Sequence, residues 1–185
     1  MKKVAVLLSG RGSNLQALLD ADQDAYEIVL VVSNVEDAGG LAIARAAGIA
    51  TFALAHKGIA RADFDDRVDE QLRAHEIEAV ALAGYMRILS PGFVERWQGR
   101  MVNIHPSLLP LYKGLHTHER AIAAGDAQGG CSVHLVTAGL DEGPVLAQAT
   151  VPILPGDTPD MLAARVLVEE HHLYPQALAD MVRML

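Results

Sequence analysis

Short apolar runs alternate with amphipathic segments through the first half of the chain. Four runs that are apolar almost throughout have the length of β-strands and lie at residues 4–8, 28–32, 51–54 and 79–83. Such strands are typical of a parallel sheet that is covered on both faces. The segments between them show helical spacing at residues 13–20, 38–47 and 62–75. The β-α-β-α-β-α-β order predicts an α/β protein with an open, mostly parallel, doubly wound sheet of the Rossmann-like type.

The second half of the chain is less regular but carries the same kinds of element. Strands are predicted at residues 101–104, 131–136 and 145–151, and a helix at residues 117–124. Residues 158–184 have helical spacing, although Pro175 lies among them and is expected to kink or divide the helix. No internal repeat, low-complexity tract or linker interrupts the sequence. We therefore expect one domain over residues 1–185, since about 150 residues make a typical domain.

Composition and charge limit the partners that a chain of this kind can have. The 15 Lys and Arg residues against 23 Asp and Glu residues give a net charge of −8, and no basic run stands out, so we expect no nucleic-acid partner. No apolar run reaches the ~20 residues of a membrane helix, so we expect no membrane partner and a cytoplasmic location. The single cysteine excludes an internal disulfide and a cysteine-rich metal site, and no metal is expected. A monomer and a homodimer both remain open.

The loop Ser-Gly-Arg-Gly-Ser-Asn at residues 9–14 follows the first strand and opens the first helix. Free backbone N–H groups at a helix start favour a phosphate, and glycines let the backbone approach it closely. Leu15 stands where a dinucleotide fingerprint has its third small residue, and the Gly-Lys-Ser/Thr end of a P-loop is missing. The loop therefore predicts a phosphate site for a monophosphate ligand, with Ser13 and Asn14 as side-chain donors. The alternative is an ordinary turn in which one of these residues caps the helix.

Asn103 and His105 lie two residues apart in a predicted strand, so their side chains project from the same face. Pro106 ends the strand at its carboxyl end, where open α/β sheets bind their ligands. Asp141 lies between glycines in a later loop, and a carboxylate near an imidazole favours the charged ring. The alternatives are a structural histidine and a turn aspartate.

These three side chains can support the attack of an amine on a formyl carbon. The attack passes through a tetrahedral oxyanion, which the Asn103 amide and the His105 imidazolium can stabilise. Asp141 can keep the ring protonated and accept the proton that the amine loses, directly or through water. Spacing alone does not identify the transferred group as formyl.

Several longer strings extend this pattern over most of the chain. Besides the loop at residues 9–14, they lie at residues 82–90, 103–110, 114–118, 132–134, 140–144 and 170–175. Together they resemble the phosphoribosylglycinamide formyltransferases, folate-dependent enzymes of purine synthesis. The Asn-x-His-Pro-Ser-Leu-Leu-Pro string at 103–110 is similar to formyltransferases in general, whereas Gly-Leu-His-Thr-His at 114–118 is similar to the glycinamide ribonucleotide branch. Lys113 departs from this pattern, because some relatives have proline there.

The resemblance implies a formyltransferase fold and a reaction. The formyl group of 10-formyltetrahydrofolate, a co-substrate, would pass to the amine of 5'-phosphoribosylglycinamide. About residues 1–100 would bind the phosphoribosyl group, and about residues 101–185 would bind folate and catalyse. The partners would be small molecules only.

The resemblance also implies roles for particular residues. The catalytic set would be Asn103, His105 and Asp141, supported by His134 unless that residue only packs. The ribonucleotide phosphate would lie on Gly12, Ser13 and Asn14, with Glu170 near the ribose or the glycinamide. Arg61 would face the pterin or glutamate portion of the folate, unless it is a solvated helix-start residue. The rest of the folate cleft would consist of Met86, Arg87, Ile88, Leu89, Asn103, Thr137, Ala138, Gly139, Leu140 and Asp141.

Two other hypotheses about function are compatible with the same residues. Another folate-dependent formyl enzyme would hydrolyse formyl-folate or act on methionyl-tRNA, but the chain lacks a basic second domain and contains the phosphate loop. A non-catalytic nucleotide-binding module on the same sheet would have no need for the three catalytic side chains together. Cys131, in an apolar run, is expected to be a buried strand residue rather than a nucleophile.

Overall fold

The computed structural model describes residues 1–185 and contains one seven-stranded sheet in the order β3-β2-β1-β4-β5-β6-β7. The strands are β1 (Lys2–Leu8), β2 (Tyr26–Ser33), β3 (Ala50–Ala53), β4 (Ala79–Leu82), β5 (Met101–His105), β6 (Gln128–Leu135) and β7 (Val145–Pro152). The helices are α1 (Ser13–Asp20), α2 (Gly39–Ala46), α3 (Arg61–Ala74), α4 (Pro91–Arg96), α5 (Thr117–Ala123) and α6 (Pro159–Arg183).

Strand direction divides the sheet into two parts. Strands β1 to β5 are parallel, whereas β6 runs antiparallel to β5 and β7 antiparallel to β6. The strand order reverses at β1 and β4, which follow different neighbours in sequence and lie side by side in the sheet. Crevices beside such a switch point are the usual ligand sites of open α/β sheets. The predicted α/β class with a mostly parallel sheet is confirmed.

The two faces of the sheet have separate apolar cores. One core of 27 buried residues includes Val102 and Ile104 of β5 and packs against α1, α2 and α6. The other contains 15 buried residues, includes Met101, and packs against α3 and α4. Because side chains alternate along a strand, Asn103 and His105 project to the same face as Met101. The polar pair therefore lies on the side of the sheet away from α6.

Two elements differ from the sequence-based expectation. The short helix α4 was not expected, although Ser90 caps it by accepting from the Phe93 N–H and Pro91 occupies its first turn. Helix α6 is not divided, since it continues through Pro175 to Arg183. Burial of Tyr174 and Leu178 on either side of Pro175 compensates for the backbone hydrogen bond that proline cannot donate. None of the helices is long and apolar enough to cross a membrane.

Candidate active site

The His105 ring is held at the end of β5 by the loop that follows it. Nε2 of His105 lies 2.8 Å from the carbonyl oxygen of Tyr112. A carbonyl can only accept, so Nε2 carries a hydrogen and donates it. The residue is 5% exposed, and its other ring nitrogen, Nδ1, is the one left to face a substrate.

The Asp141 carboxylate reaches this second nitrogen from a different segment of the chain. Its Oδ2 atom lies 3.5 Å from Nδ1 of His105, and it also accepts a hydrogen bond of 2.9 Å from the Gly114 N–H. Asp141 has a φ of 50°, a left-handed conformation that is uncommon for a residue with a side chain. The 3.5 Å separation is longer than a hydrogen bond, so Nδ1 is not committed to the carboxylate and can also serve an incoming oxygen.

His134 connects the other two members of the cluster. It pairs with Asn103 across β5 and β6, and its Nε2 lies 3.2 Å from Nδ2 of Asn103. Nδ1 of His134 lies 3.0 Å from the Leu135 carbonyl, and burial lowers the pKa of His134. The carbonyl can only accept and the amide nitrogen can only donate, so Nδ1 of His134 carries a hydrogen and Nε2 accepts one N–H of the Asn103 amide. The second N–H of Asn103 remains for a substrate.

Nε2 of His134 also lies 3.6 Å from Oδ1 of Asp141. The sequence left His134 as either a support for the catalytic set or a packing residue, and the structure brings it to both Asp141 and Asn103. The three predicted catalytic residues and their predicted support therefore form one cluster, in which the loop after β6 brings Asp141 to the side chains on one face of β5 and β6.

Sequence reasoning missed the groups that fix the loop after His105. Ser132, paired with His105 in the sheet, donates to the Ser107 carbonyl (2.7 Å) and accepts from the Leu109 N–H (3.0 Å). Gln148 of β7 donates to the Leu109 carbonyl at 2.9 Å. The clue available was Ser132, which shares a strand face with His134. The Tyr112 carbonyl and Gly114 N–H gave no such clue, because any residue has these groups.

The predicted phosphate loop has the geometry that backbone recognition of an anion needs. Gly12 has a φ of 85° and precedes α1, and no side chain caps the first turn of that helix. A Cβ on Gly12 would lie 2.5 Å from Cα of Gly40 at the start of α2, so only glycine fits there. Ser13 is exposed, whereas Asn14 is half-buried. The first N–H groups of α1 are thus available to a ligand.

Glu170 of α6 lies beside this loop. It is 8% exposed, and the Asn14 side chain lies close enough to affect its pKa. Burial raises the pKa of Glu170 to about 7, and the Asn14 side chain acts in the opposite direction. The Oδ1 atom of Asn14 is buried and has no partner. The structure therefore brings together Glu170 and Asn14, which the sequence separates by most of the chain.

The segments expected to bind folate carry exposed apolar side chains. Met86 is 70% exposed, Ile88 64% and Leu140 61%. Exposed side chains of this size offer apolar contact to a flat aromatic ligand. Leu89, Thr137 and Gly139 are half-buried, and Ala138 is exposed.

The two arginines expected at the folate cleft differ in their surroundings. The guanidinium of Arg87 lies 4.1 Å from the Phe64 ring centroid, and its Nε is 3.7 Å from Oδ1 of the buried Asp65. Its side chain thus packs against α3, so only the backbone groups of Arg87 are available to a ligand. Arg61 is the exposed first residue of α3, and its carbonyl accepts from Arg87 at 3.5 Å.

Three other residues lie outside this cluster. His116 is exposed and faces Glu119 at 3.6 Å, whereas His118 is partly buried, and burial lowers its pKa. No group of three or more His, Cys, Asp or Glu side chains is placed to hold a metal ion.

Cys131 is buried in β6 and free, as its apolar surroundings predicted, and burial raises its pKa to about 12.

The fold agrees with the comparisons to known proteins. The sequence profile of the formyl transferase family matches residues 2–178. The chain therefore belongs to the formyl transferase family, and the resemblance drawn from its motifs is confirmed.

Within the family, its relatives have more particular names. The phosphoribosylglycinamide formyltransferase of Escherichia coli K12 is 47% identical over 180 residues, which cover 95% of this chain and 85% of that protein. The structure of phosphoribosylglycinamide formyltransferase from Brucella melitensis is similar with a TM-score of 0.92 and 49% identity, covering 98% of this chain and 95% of that one. The trifunctional purine biosynthetic protein adenosine-3 of Drosophila melanogaster is 48% identical, but this chain spans only 14% of its length.

Proposed function

We propose that this chain transfers the formyl group of 10-formyltetrahydrofolate to the amine of 5'-phosphoribosylglycinamide. The observation that carries the proposal is the convergence of Asn103, His105 and Asp141, with Oδ2 of Asp141 lying 3.5 Å from Nδ1 of His105. An amide donor, an imidazole and a carboxylate on one face are the groups that formyl transfer to an amine requires. The phosphate loop and the names of the relatives support the ribonucleotide as acceptor.

The free N–H of Asn103 and Nδ1 of His105 would act on the formyl oxygen. As the amine attacks the formyl carbon, negative charge grows on this oxygen, and two pre-positioned donors stabilise it. Asp141 faces Nδ1 and would hold a proton there during this step. It would then take the proton that the amine loses, directly or through water, and the folate nitrogen would gain a proton as its bond to the formyl carbon breaks. His134 would act as a positioning residue, because its Nε2 orients the Asn103 amide.

The two small molecules would bind on either side of these residues. The phosphate would lie on the N–H groups of Gly12, Ser13 and Asn14, and Glu170 would accept from the ribose or glycinamide. The folate would lie against residues 86–89 and 137–141, with Arg61 at its pterin or glutamate portion. This arrangement corresponds to a phosphoribosyl-binding half of about residues 1–100 and a catalytic, folate-binding half of about residues 101–185.

A direct assay tests this function. The protein is mixed with phosphoribosylglycinamide and 10-formyltetrahydrofolate, and the absorbance of the folate is followed while mass spectrometry identifies the product. We expect loss of formyl-folate only when the ribonucleotide is present, with one formyl group gained per folate consumed. Formate release without an acceptor would instead identify a formyl-folate hydrolase, and formylation of methionyl-tRNA would identify a tRNA enzyme.

The proposal extends to location and assembly. The one cysteine is a free thiol, as is usual for proteins of the reducing cytoplasm, where we place this enzyme. It would act there as a monomer or a homodimer, without a nucleic-acid or membrane partner.

A further inference from the structure

A serine at the switch point of the sheet links the phosphate loop to the segment after β4. Ser9 is the first residue after β1, and β4 is the neighbouring strand. The Ser9 N–H donates to the Gly84 carbonyl at 3.0 Å. The Ser9 hydroxyl accepts from the Met86 N–H at 2.8 Å. Ser9 therefore holds both ends of residues 84–86, and Met86 begins the proposed folate segment.

A buried amide fixes the orientation of this hydroxyl. Ser9 donates its hydroxyl hydrogen to Oδ1 of Asn34, a residue that is 3% exposed. Nδ2 of Asn34 lies 3.3 Å from Nδ1 of His56, which follows β3. An amide nitrogen can only donate, so this contact keeps the amide oxygen turned toward Ser9. With one donor and one acceptor partner, the hydroxyl is held in a single orientation.

The phosphate loop is fixed on its other side as well. The Gly10 carbonyl accepts from the Gly40 N–H at 3.1 Å, and Gly12 packs directly on Gly40. The loop is thus attached to α2 at Gly10 and Gly12, and to residues 84–86 through Ser9. A shift of residues 84–86 would be transmitted through Ser9 to the N–H groups that face the phosphate.

We propose that Ser9 is a positioning residue that couples the two substrate sites, so that each substrate binds more tightly when the other is present. The inference rests on the proposed function, since it takes the ribonucleotide and the folate as the two ligands. Folate bound at residues 86–89 orders this segment, and the Ser9 hydrogen bonds order the phosphate loop with it. The second ligand then loses less conformational entropy when it binds. This difference is a coupling free energy between the two sites, and it is the same whichever ligand binds first.

The test is a measurement of this coupling by calorimetry. The Kd of phosphoribosylglycinamide is measured with and without a saturating folate analogue that lacks the formyl group, and the reverse titration is made as a check. For the wild type we expect each ligand to tighten the other by the same factor, about fivefold or more. Ser9→Ala removes the acceptor for the Met86 N–H and should bring this factor close to one. Ser9→Thr keeps the hydroxyl and should restore most of it.

Two further variants separate coupling from stability. Thr158→Ala removes another hydroxyl that accepts a backbone N–H, that of Met161 at 3.2 Å, but at the remote start of α6. It should keep the wild-type factor. His56→Ala removes an exposed side chain, leaves the core intact and frees the Asn34 amide to turn, so the factor should fall even if Ser9→Ala does not fold.

The outcomes are distinct. The inference is overturned if the wild type binds both ligands without coupling, or if a folded Ser9→Ala variant keeps the wild-type factor. It is also overturned if Ser9→Ala does not fold and His56→Ala keeps the wild-type factor. A wild type that binds neither ligand would overturn the proposed function instead.

Discussion

The phosphate loop and the catalytic cluster are built in different ways. The loop is one continuous segment, residues 9–14, whose backbone N–H groups face the ligand, and backbone contacts help to hold it, such as the Gly40 N–H on the Gly10 carbonyl at 3.1 Å. The cluster comes from β5, β6 and the loop at residues 136–144, and side chains hold it, such as His134 on Asn103 at 3.2 Å. A site made of backbone groups is disrupted by substitutions that add side-chain atoms, whereas a site made of side chains is disrupted by substitutions that remove them.

This difference predicts a division of kinetic effects. Backbone groups that face a phosphate contact a part of the substrate that does not react, so changing them should mainly alter KM. Side chains that face the reacting oxygen act on charge that grows in the transition state, so changing them should mainly alter kcat. Variants at the two sites test this division.

The largest expected effect is that of His105→Ala. The change removes one of two donors to the developing oxyanion, so kcat should fall about 10³-fold while both KM values stay within a few-fold. Steady-state kinetics on the folded variant measures this. His75→Ala provides the control, because the side chain of that histidine is hydrogen-bonded to the Gln71 carbonyl at the end of α3, outside the proposed site. Turnover near that of the wild type in folded His105→Ala would contradict the mechanism.

Glu170→Gln tests the buried carboxyl beside the phosphate loop. The pKa of Glu170 is raised to about 7 from its ordinary 4.5, so the folded protein binds more protons than the unfolded chain between these two values. The stability that this group contributes is complete below about pH 4.5 and is lost as pH rises through about 7. The full difference corresponds to about 3 kcal/mol.

The Gln variant has no such proton to lose. Its free energy of unfolding, measured with urea at pH 5 and pH 8, should therefore decline less than that of the wild type over this range. Glu169→Gln, at the neighbouring position, should keep the wild-type pH dependence. Equal declines in Glu170→Gln and the wild type would show that Glu170 does not titrate in this window.

Much of the fold was predictable from local sequence. The phosphate loop could be predicted in the same way, whereas the catalytic cluster could not. The parallel strands β1, β2 and β4 are continuous apolar runs, and the phosphate loop is contiguous, so short windows contain the whole signal. The meeting of Asp141 with His105 depends on how the loop at residues 136–144 folds back over β5. Proximity of that kind has no signature in composition or spacing, and only the resemblance to a family predicted it.

Smaller features were not predicted from the sequence for related reasons. The six residues of α4 are too few to show helical periodicity, so its Ser90 cap and Pro91 in its first turn were the local signals. Pro175 was expected to kink or divide α6, because local rules do not include the burial that holds the helix together around it. The hydrogen bonds of Ser9 connect segments that no sequence window spans, and the Tyr112 carbonyl is a backbone group that any residue has.

Gly12→Ala tests the backbone site. A Cβ there would lie 2.5 Å from Cα of Gly40, and φ is 85°, so the loop must move. We expect a loss of about 1–3 kcal/mol in stability and a rise of about tenfold or more in KM for the ribonucleotide, with kcat little changed. Gly99→Ala is the matched control, since Gly99 has a φ of 75° with open space around it. It should lose stability without a change in KM, and an equal KM for the wild type and folded Gly12→Ala would remove the phosphate assignment.

The smallest expected effect is that of Lys113→Ala, at the border of the catalytic region. Nζ of Lys113 lies 3.3 Å from Oε1 of Glu142, with side chains 38% and 57% exposed, so this pair joins the loop after His105 to the loop that carries Asp141. An exposed ion pair contributes up to about 1 kcal/mol, and the Gly114 N–H still holds Asp141 without it. We expect kcat to fall by about two- to threefold, with wild-type kcat approaching that of the variant in about 1 M salt, where charges are screened. The double variant Lys113→Glu/Glu142→Lys restores the pair with its charges reversed and should recover the lost rate at low salt. If it does not, the pair does not orient Asp141, and the hydrogen bond from Gly114 is sufficient to hold the carboxylate against His105.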